Sequence, residues 1–560
     1  MVTSKPHAAL IASPGMGHLI PMVELGKRLL THHSFHVTIF VVTTDSAITT
    51  SHILQQTSNL NIVLVPPIDV SHKLPPNPPL AARILLTMLD SIPFVHSSIL
   101  STKLPPPSAL IVDMFGFAAF PMARDLGMLI YVYFATSAWF SAVTVYVPAM
   151  DKKMIESHAD NHEPLVIPGC EAVRFDDTLE PFLSPIGEMY QGYLTAAKEI
   201  VTADGILMNT WQDLEPAATK AVREDGILGR FTKAEVYSVG PLVRTVEKKP
   251  EAAVLSWLDG QPAESVVYVS FGSGGTMSEV QMREVALGLE LSQQRFVWVV
   301  RPPCEGDASG SFFEVSNGGD VALNYLPEGF VKRTEAVGVV VPMWAPQAEI
   351  LGHPATGGFV THCGWNSVLE SVLNGVPMVA WPLYAEQKMN AFMLSEELGV
   401  AVRVAEEGGV VRREQVAELV RRVMVDEEGF GMRKKVKELK VSGEKALSKV
   451  GSSHHWLCQM SKDCEAHVQG SEAKVSSAYT TTTAVLSDVG TLLQLLLAYL
   501  GSSLHTEITW SLSLEAALRT FMQPPSHCKV SSNPEQKQEP NDKEKKIKTR
   551  QTPKASTTHD

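Results

Sequence analysis

At 560 residues the chain is too long for one ordinary domain and suits two with something added. A hydrophobic content of 45% with 19% charged residues is that of a globular protein, and a net charge of -13 with a pI near 5.8 excludes a nucleic-acid binder built on a basic face. The six cysteines (Cys170, Cys304, Cys363, Cys458, Cys464 and Cys528) show no framework spacing, so reduced thiols in a cytoplasmic protein are expected. The opening MVTSKPHAALIASPG has one lysine and an apolar run too short for the core of a signal peptide, and is expected to form a first strand. No uninterrupted apolar stretch reaches the ~18 residues a membrane span needs, so no span is expected.

In chain order, Ala8 to Ala12 predicts a buried strand, Ser13 to His18 a Gly-rich turn, Leu19 to Leu30 a helix and His36 to Thr43 the next strand. Further strands are predicted at Asn61–Val65, Ala109–Asp113 and Leu129–Tyr133. This alternation implies a parallel sheet with helices on both faces, whose ligands sit outside the carboxyl ends of the strands. His18 and Asp113 both fall just past such an end. A histidine beside a carboxylate is held in one tautomer and becomes a better proton acceptor, able to deprotonate a phenol or alcohol. The residues alone also fit a surface histidine in a turn and an aspartate serving as a cap. The turn G-M-G-H is not the G-x-G-x-x-G dinucleotide fingerprint, and no acidic residue closes strand two at the usual offset. The hydroxyls of Thr136 and Ser137, read by themselves, suit a local backbone bond.

Residues 148 to 200 read as irregular, with prolines at 148, 164, 168, 181 and 185. Phe115, Phe117, Phe120, Trp139, Phe140 and Tyr146 suit either an aromatic pocket or plain core. Gly205 to Thr210 reads as the last strand of the first sheet, with Tyr237 to Leu242 leading out of it and the polar run Arg244–Glu251 as a linker. A second unit opens with a strand at Ser265–Phe271 and a second glycine turn, Gly272 to Thr276. Pro302 to Asp320 reads as a surface loop, and Ala417 to Lys449 as helix.

The most informative stretch is WAPQAEILGHPATGGFVTHCGWNSVLESVLNGVPMVAWPLYAEQ, Trp344 to Gln387. An apolar strand, Gly357 to Thr361, closes on His362-Cys363-Gly364. Helical spacing follows through Val368, Leu369, Val372 and Leu373, stops at Asn374-Gly375, and gives way to a strand at Val376–Ala380. Gly364 permits close backbone approach, and the free N–H groups of the following helical turn favour an anion such as pyrophosphate. His362, Asn366 and Ser367 add donors. Ser367 with Glu370 also forms an S-x-x-E capping box that needs no ligand, but a cap explains neither Trp344 and Trp365, expected to be exposed, nor Glu386-Gln387. Cys458, Cys464, His454, His455 and His467 fit no common zinc-ligand spacing.

This stretch resembles the signature box of the plant family 1 UDP-sugar glycosyltransferases, which opens on W-x-P-Q, carries H-C-G-W-N-S with Glu three residues after the Ser, and ends in (D/E)-Q. The resemblance runs to about residue 470 and is strongest toward glucosyltransferases of small phenols, the hydroquinone or arbutin-forming type. It implies an α/β protein of the GT-B arrangement, two Rossmann-like domains facing across a cleft. Residues 1–243 would bind the acceptor, 244–252 would link, and 253–470 would bind the UDP-sugar, with the last helix crossing back to the first domain. Residues 471–560 would be a largely disordered extension outside the family.

Carried over residue by residue, the resemblance makes His18 the base and Asp113 its partner, from a P-G-x-G-H turn and the strand ALIVD. Trp344 would stack on uracil with Ala345 and Gln347 nearby, and Glu370 would accept the ribose hydroxyls. His362, Asn366, Ser367 and Ser273 would hold the diphosphate, and Trp365, Glu386, Gln387 and Thr136 would meet the sugar. Inversion would give a β-glucoside. No D-x-D occurs, so neither metal nor other cofactor is expected, and the helix dipole with His362 and its neighbouring donors would stabilise leaving UDP. The expected partners are a UDP-sugar and a small acceptor, with no nucleic acid, and a monomer is expected. Rival readings are a nicotinamide-dependent dehydrogenase, a catalytically impaired UDP-sugar binder, and a transferase for flavonoid or terpenoid acceptors or for galactose.

Overall fold

The computed structural model describes residues 5–42, 60–75, 78–224, 226–244, 252–304, 319–405 and 409–470. The predicted extension from 471, nearly all of the predicted linker and most of the 302–320 loop lie outside these.

Two parallel sheets are built from strands that are mostly apolar, as sheets covered on both faces require. The first has seven strands: β1 (His7–Ala12), β2 (His36–Val42), β3 (Asn61–Val65), β4 (Ala109–Val112), β5 (Leu129–Phe134), β6 (Gly205–Met208) and β7 (Glu235–Ser238), in the order β3-β2-β1-β4-β5-β6-β7. The second has six: β8 (Val266–Ser270), β9 (Arg295–Val300), β10 (Gly338–Pro342), β11 (Thr356–Thr361), β12 (Met378–Ala380) and β13 (Ala401–Arg403), in the order β10-β9-β8-β11-β12-β13. Each order reverses direction once, between β1 and β4 and between β8 and β11. The loops that leave such a pair diverge to opposite faces and open a crevice at the carboxyl edge. The first crevice is flanked by His18 and Asp113, and the second by the Gly272 turn and the His362 loop.

Several local expectations change. The helix after β1 begins at Met16, so His18 sits in its first turn rather than in a loop. Glu235–Ser238 pairs with β6 as a seventh strand instead of leading out. Residues 148 to 200 contain helices at Lys152–Asn161 and Glu188–Ile200; the first starts where the Asp151 side chain accepts from the Lys153 N–H, a cap that the prolines obscured. The long C-terminal helix splits into Arg413–Met424 and Glu427–Leu447.

Residues 452–470 form a helix against the first sheet. Tyr237 Oη donates to Asp463 Oδ2 at 2.7 Å, Ser461 Oγ donates to the His33 carbonyl at 3.3 Å, and Ser453 Oγ donates to the Gly240 carbonyl. Among the described residues one helix, Leu80–Leu100, is long and apolar enough to cross a membrane; Arg83, Asp90 and His96 interrupt it, and 33% of its apolar window is buried inside the fold.

Candidate active site

The first crevice is organised by a buried carboxylate. Asp113, 3% exposed, receives the Ser13 N–H on Oδ2 at 3.0 Å, the Ser13 hydroxyl on Oδ1 at 2.6 Å and the Phe115 N–H on Oδ1 at 3.0 Å. His18 Nδ1 lies 3.2 Å from Asp113 Oδ2, with 21% of the His18 side chain exposed and its ring edge-on to Phe115 at 5.6 Å. Burial pulls the His18 pKa down. The Asp113 charge and contact, with Glu386 further off, outweigh it and leave the imidazole above its ordinary value. For Asp113, burial pushes the other way, yet His18 and Ser13 hold the carboxyl below its ordinary range. Nδ1 thus faces Asp113 at ion-pair distance, leaving Nε2 as the atom able to take a proton. Ser13 and Phe115 were not foreseen as the carboxylate's holders. The only signal was that Ser13 sits one residue beyond β1 and Asp113 one beyond β4, and the parallel register, with Ile11 beside Val112, brings the two strand ends to the same edge.

In the second crevice His362 is buried between two glycines. A Cβ on Gly272 would lie 2.5 Å from its Cε1 and Nε2, and one on Gly364 2.5 Å from Nε2. Burial pulls the His362 pKa down to about 4, so the ring is neutral, and its Nδ1 is enclosed with no partner. Cys363 turns the chain at φ 65°, and the helix Trp365–Asn374 starts on Gly364, which has no side chain to accept from the first-turn N–H groups. Ser367 is therefore the third helical residue and not the cap, which overturns the capping-box reading: the cap position is set by where β11 ends. Its hydroxyl accepts from Gln347 Nε2 at 2.9 Å, and the same amide donates to Glu370 Oε2 at 2.7 Å. Burial pushes Glu370 up to about 7, with Gln347 and the Arg244 charge acting against it. Trp344 is 54% exposed, Ala345 is buried beside it, and Ser273 is exposed on the Gly272 turn.

Trp365 is the clearest correction. Expected at the surface against the sugar, it is 2% exposed, and its indole Nε1–H donates to the Asn209 carbonyl at 2.8 Å. The ring pins the helix to the chain after β6. Trp365→Phe should therefore cost about 1–3 kcal/mol of stability, because a buried carbonyl loses its donor. Chemical denaturation checks this; an unchanged midpoint with a selective loss of donor binding would return the indole to the sugar.

The end of the box comes close to the first crevice. Glu386 is half-buried, its pKa raised by burial against the opposing influence of His18. Gln387 is buried, its Oε1 accepting from the Leu383 and Tyr384 N–H groups at 2.8 and 3.0 Å, so half of its amide fixes the loop. Asn390, also not foreseen, bridges the halves: Ser137 Oγ donates to its Oδ1 at 3.1 Å and its Nδ2 donates to the Cys363 carbonyl at 3.0 Å. Beside Ser137, the Thr136 hydroxyl is enclosed with no partner. Phe120, Trp139 and Phe140 are core, whereas Phe115, Phe117 and Tyr146 are half-buried. One contact registers the two crevices: Asn366 Nδ2 donates to the Gly17 carbonyl at 3.0 Å. The amino end of one helix is thereby set one residue from the imidazole at the start of another.

Residues 234–429 match the family model described as UDP-glucoronosyl and UDP-glucosyl transferase. Over 475 residues the chain is 48% identical to UDP-glycosyltransferase 72E1 of Arabidopsis thaliana, covering 83% of this chain and 97% of the relative. The chain belongs to the plant family 1 UDP-glycosyltransferases. It is 44% identical over 465 residues to a hydroquinone glucosyltransferase of Rauvolfia serpentina, covering 81% of this chain and 97% of that protein. Among solved structures it is similar to TcCGT1 in complex with UDP, at TM-score 0.77 and 44% identity, covering 83% of this chain and all of that one. A UDP-glycosyltransferase with two sheets of this order has the GT-B fold.

Proposed function

We propose that this UDP-glycosyltransferase transfers glucose from UDP-glucose to the hydroxyl of a small phenol such as hydroquinone or a monolignol, with inversion to the β-O-glucoside. The observation that carries the reading is the Asn366–Gly17 contact, which sets an anion-binding helix end beside the His18–Asp113 pair. His18 Nε2 takes the phenol proton as the oxygen attacks C1 of the sugar, and Asp113 orients the ring and balances its charge. The leaving diphosphate meets the first-turn N–H groups of the Trp365–Asn374 helix and the side chains of His362, Asn366, Ser367 and Ser273. Exposed Trp344 stacks on uracil beside Ala345, Glu370 accepts from the ribose with Gln347 holding its carboxylate, and Thr136, Glu386 and Gln387 bind the sugar. The Rauvolfia serpentina relative supports the phenol class.

The same reading makes the enzyme metal-independent. The neutral donors at the helix end take the place of a cation, so added magnesium or manganese should leave turnover unchanged; a several-fold increase would contradict this. The five described cysteines are all free thiols, which fits a cytoplasmic enzyme.

Incubation with UDP-glucose and hydroquinone or a monolignol, followed by mass detection of one added hexose, tests the proposal, and no product with any phenol overturns it. Glu386→Gln should lower kcat/KM for UDP-glucose roughly 10- to 100-fold, the worth of a charged hydrogen bond, while leaving UDP affinity by calorimetry nearly unchanged. A collapse of UDP affinity would place Glu386 on the nucleotide instead.

A further inference from the structure

Far from the crevices, three side chains that sequence spacing did not connect converge. His454 and Cys458 are four residues apart on the 452–470 helix and so share a face. His33 caps the carboxyl end of the Met16–His32 helix, is 5% exposed, and is fixed from both sides: its N–H donates to the Leu29 carbonyl and its own carbonyl accepts from Ser461. Cys458 Sγ lies 3.7 Å from His33 Nδ1 and 3.6 Å from His454 Nε2, and the three atoms all lie within 4.8 Å of one another.

We propose that His33, His454 and Cys458 form a binding site for a zinc-like divalent ion, clipping the C-terminal crossing helix to the first domain. A tetrahedral ion with bonds of ~2.3 Å to sulfur and ~2.0 Å to nitrogen sets S and N roughly 3.5 Å apart. Both observed S–N separations are within a few tenths of an ångström of that edge. The two imidazoles must close further on each other, which side-chain rotation of half-buried His454 can supply. The ligand set is the borderline-soft thiolate and imidazole pair that zinc prefers over the all-oxygen sites of magnesium or calcium. Binding replaces the thiol proton, so one proton leaves for each ion taken up, and a water completes the fourth position on the solvent side of half-buried Cys458.

The charged and titratable groups facing the cluster are Arg28 and His32 of the first helix and Lys449 near the start of the second. The Arg28 guanidinium is tied to the Leu447 carbonyl, and the thiolate offsets part of the added charge. The site is structural. His18 lies fifteen residues earlier on the same helix, about 22 Å away at ~1.5 Å per residue.

The competing arrangement is a thiol hydrogen-bonded between two imidazoles with no ion. Titration of the full, chelator-stripped chain with cadmium separates the two. A clip gives a thiolate-to-cadmium charge-transfer band saturating at one equivalent, and zinc displaces it. The band is lost in Cys458→Ser, weakened at least tenfold in apparent affinity in His454→Ala and in His33→Ala, and kept in Cys304→Ser. Glucosyl transfer by Cys458→Ser serves as the check that it folds. Should that variant not fold, X-ray absorption at the zinc edge of the loaded wild-type chain decides: one sulfur and two imidazoles support the clip. The proposal fails if no band saturates at one equivalent, if the band survives Cys458→Ser, or if zinc shows only oxygen and nitrogen neighbours.

Discussion

Replacing His18 with alanine lowers turnover by roughly 10²- to 10⁴-fold, the usual worth of a positioned general base, with UDP affinity nearly intact. The argument rests on what surrounds the ring. Its Nδ1 contact runs to Asp113, its remaining nitrogen is uncommitted, and a fifth of its side chain is exposed, so truncation opens no sealed core cavity, and the fold loses only the charge partner of Asp113, whose three hydrogen bonds remain. The ring must be neutral to accept a proton. Because Asp113 lifts its pKa above the ordinary 6.5 in spite of burial, kcat/KM for a neutral phenol should rise with pH through a limb centred above 6.5. Steady-state kinetics with hydroquinone from about pH 5 to 9 reads both effects. Near-wild-type turnover in the variant, or a wild-type limb well below 6.5, would remove His18 from the chemistry.

The parts of this site that were legible in the sequence share a cause. Turns that leave a strand at a crevice need residue types that few other places tolerate. Gly364 and Gly272 are examples, since a Cβ at either would strike His362. His18 and Asp113 were legible because parallel strands must release their loops at the same edge. What escaped notice depends on chain far away in sequence. Whether Trp365 faces a ligand or the core is decided by the Asn209 carbonyl at the end of another sheet. Whether Ser367 caps a helix is decided by the length of the loop before it. The seventh strand of the first sheet was missed because Glu235–Ser238 is short and merges with Val239-Gly240-Pro241. The His33–His454–Cys458 cluster could not be found by spacing, because its members meet only when the last helix returns to the end of the first.

Asp113→Asn should separate orientation from mere packing. The carboxylate accepts three hydrogen bonds, from Ser13 N–H, Ser13 Oγ and Phe115 N–H, besides facing His18. An asparagine offers one acceptor oxygen, so at least one buried donor loses its partner, costing about 1–3 kcal/mol of stability. The cost is pH-dependent with a definite sign. The folded-state pKa of Asp113 is depressed, so its ionisation stabilises the native state above about pH 3.8 and that stabilisation is lost as pH falls through the depressed value. The variant loses this contribution, and its midpoint converges with wild type only in acid. Catalysis moves differently. Without the neighbouring charge, burial dominates the imidazole, and the limb of the rate profile shifts from above 6.5 to below it. Turnover nevertheless falls, by up to roughly 10⁴-fold where the base must remove a tightly held proton, because the wrong tautomer and an unbalanced imidazolium are both penalised. The loss should shrink as the acceptor grows more acidic, since a nitrophenol surrenders its proton with less help than an aliphatic alcohol. Equal losses across such a series, with the limb unmoved, would leave Asp113 a structural carboxylate that merely touches the base.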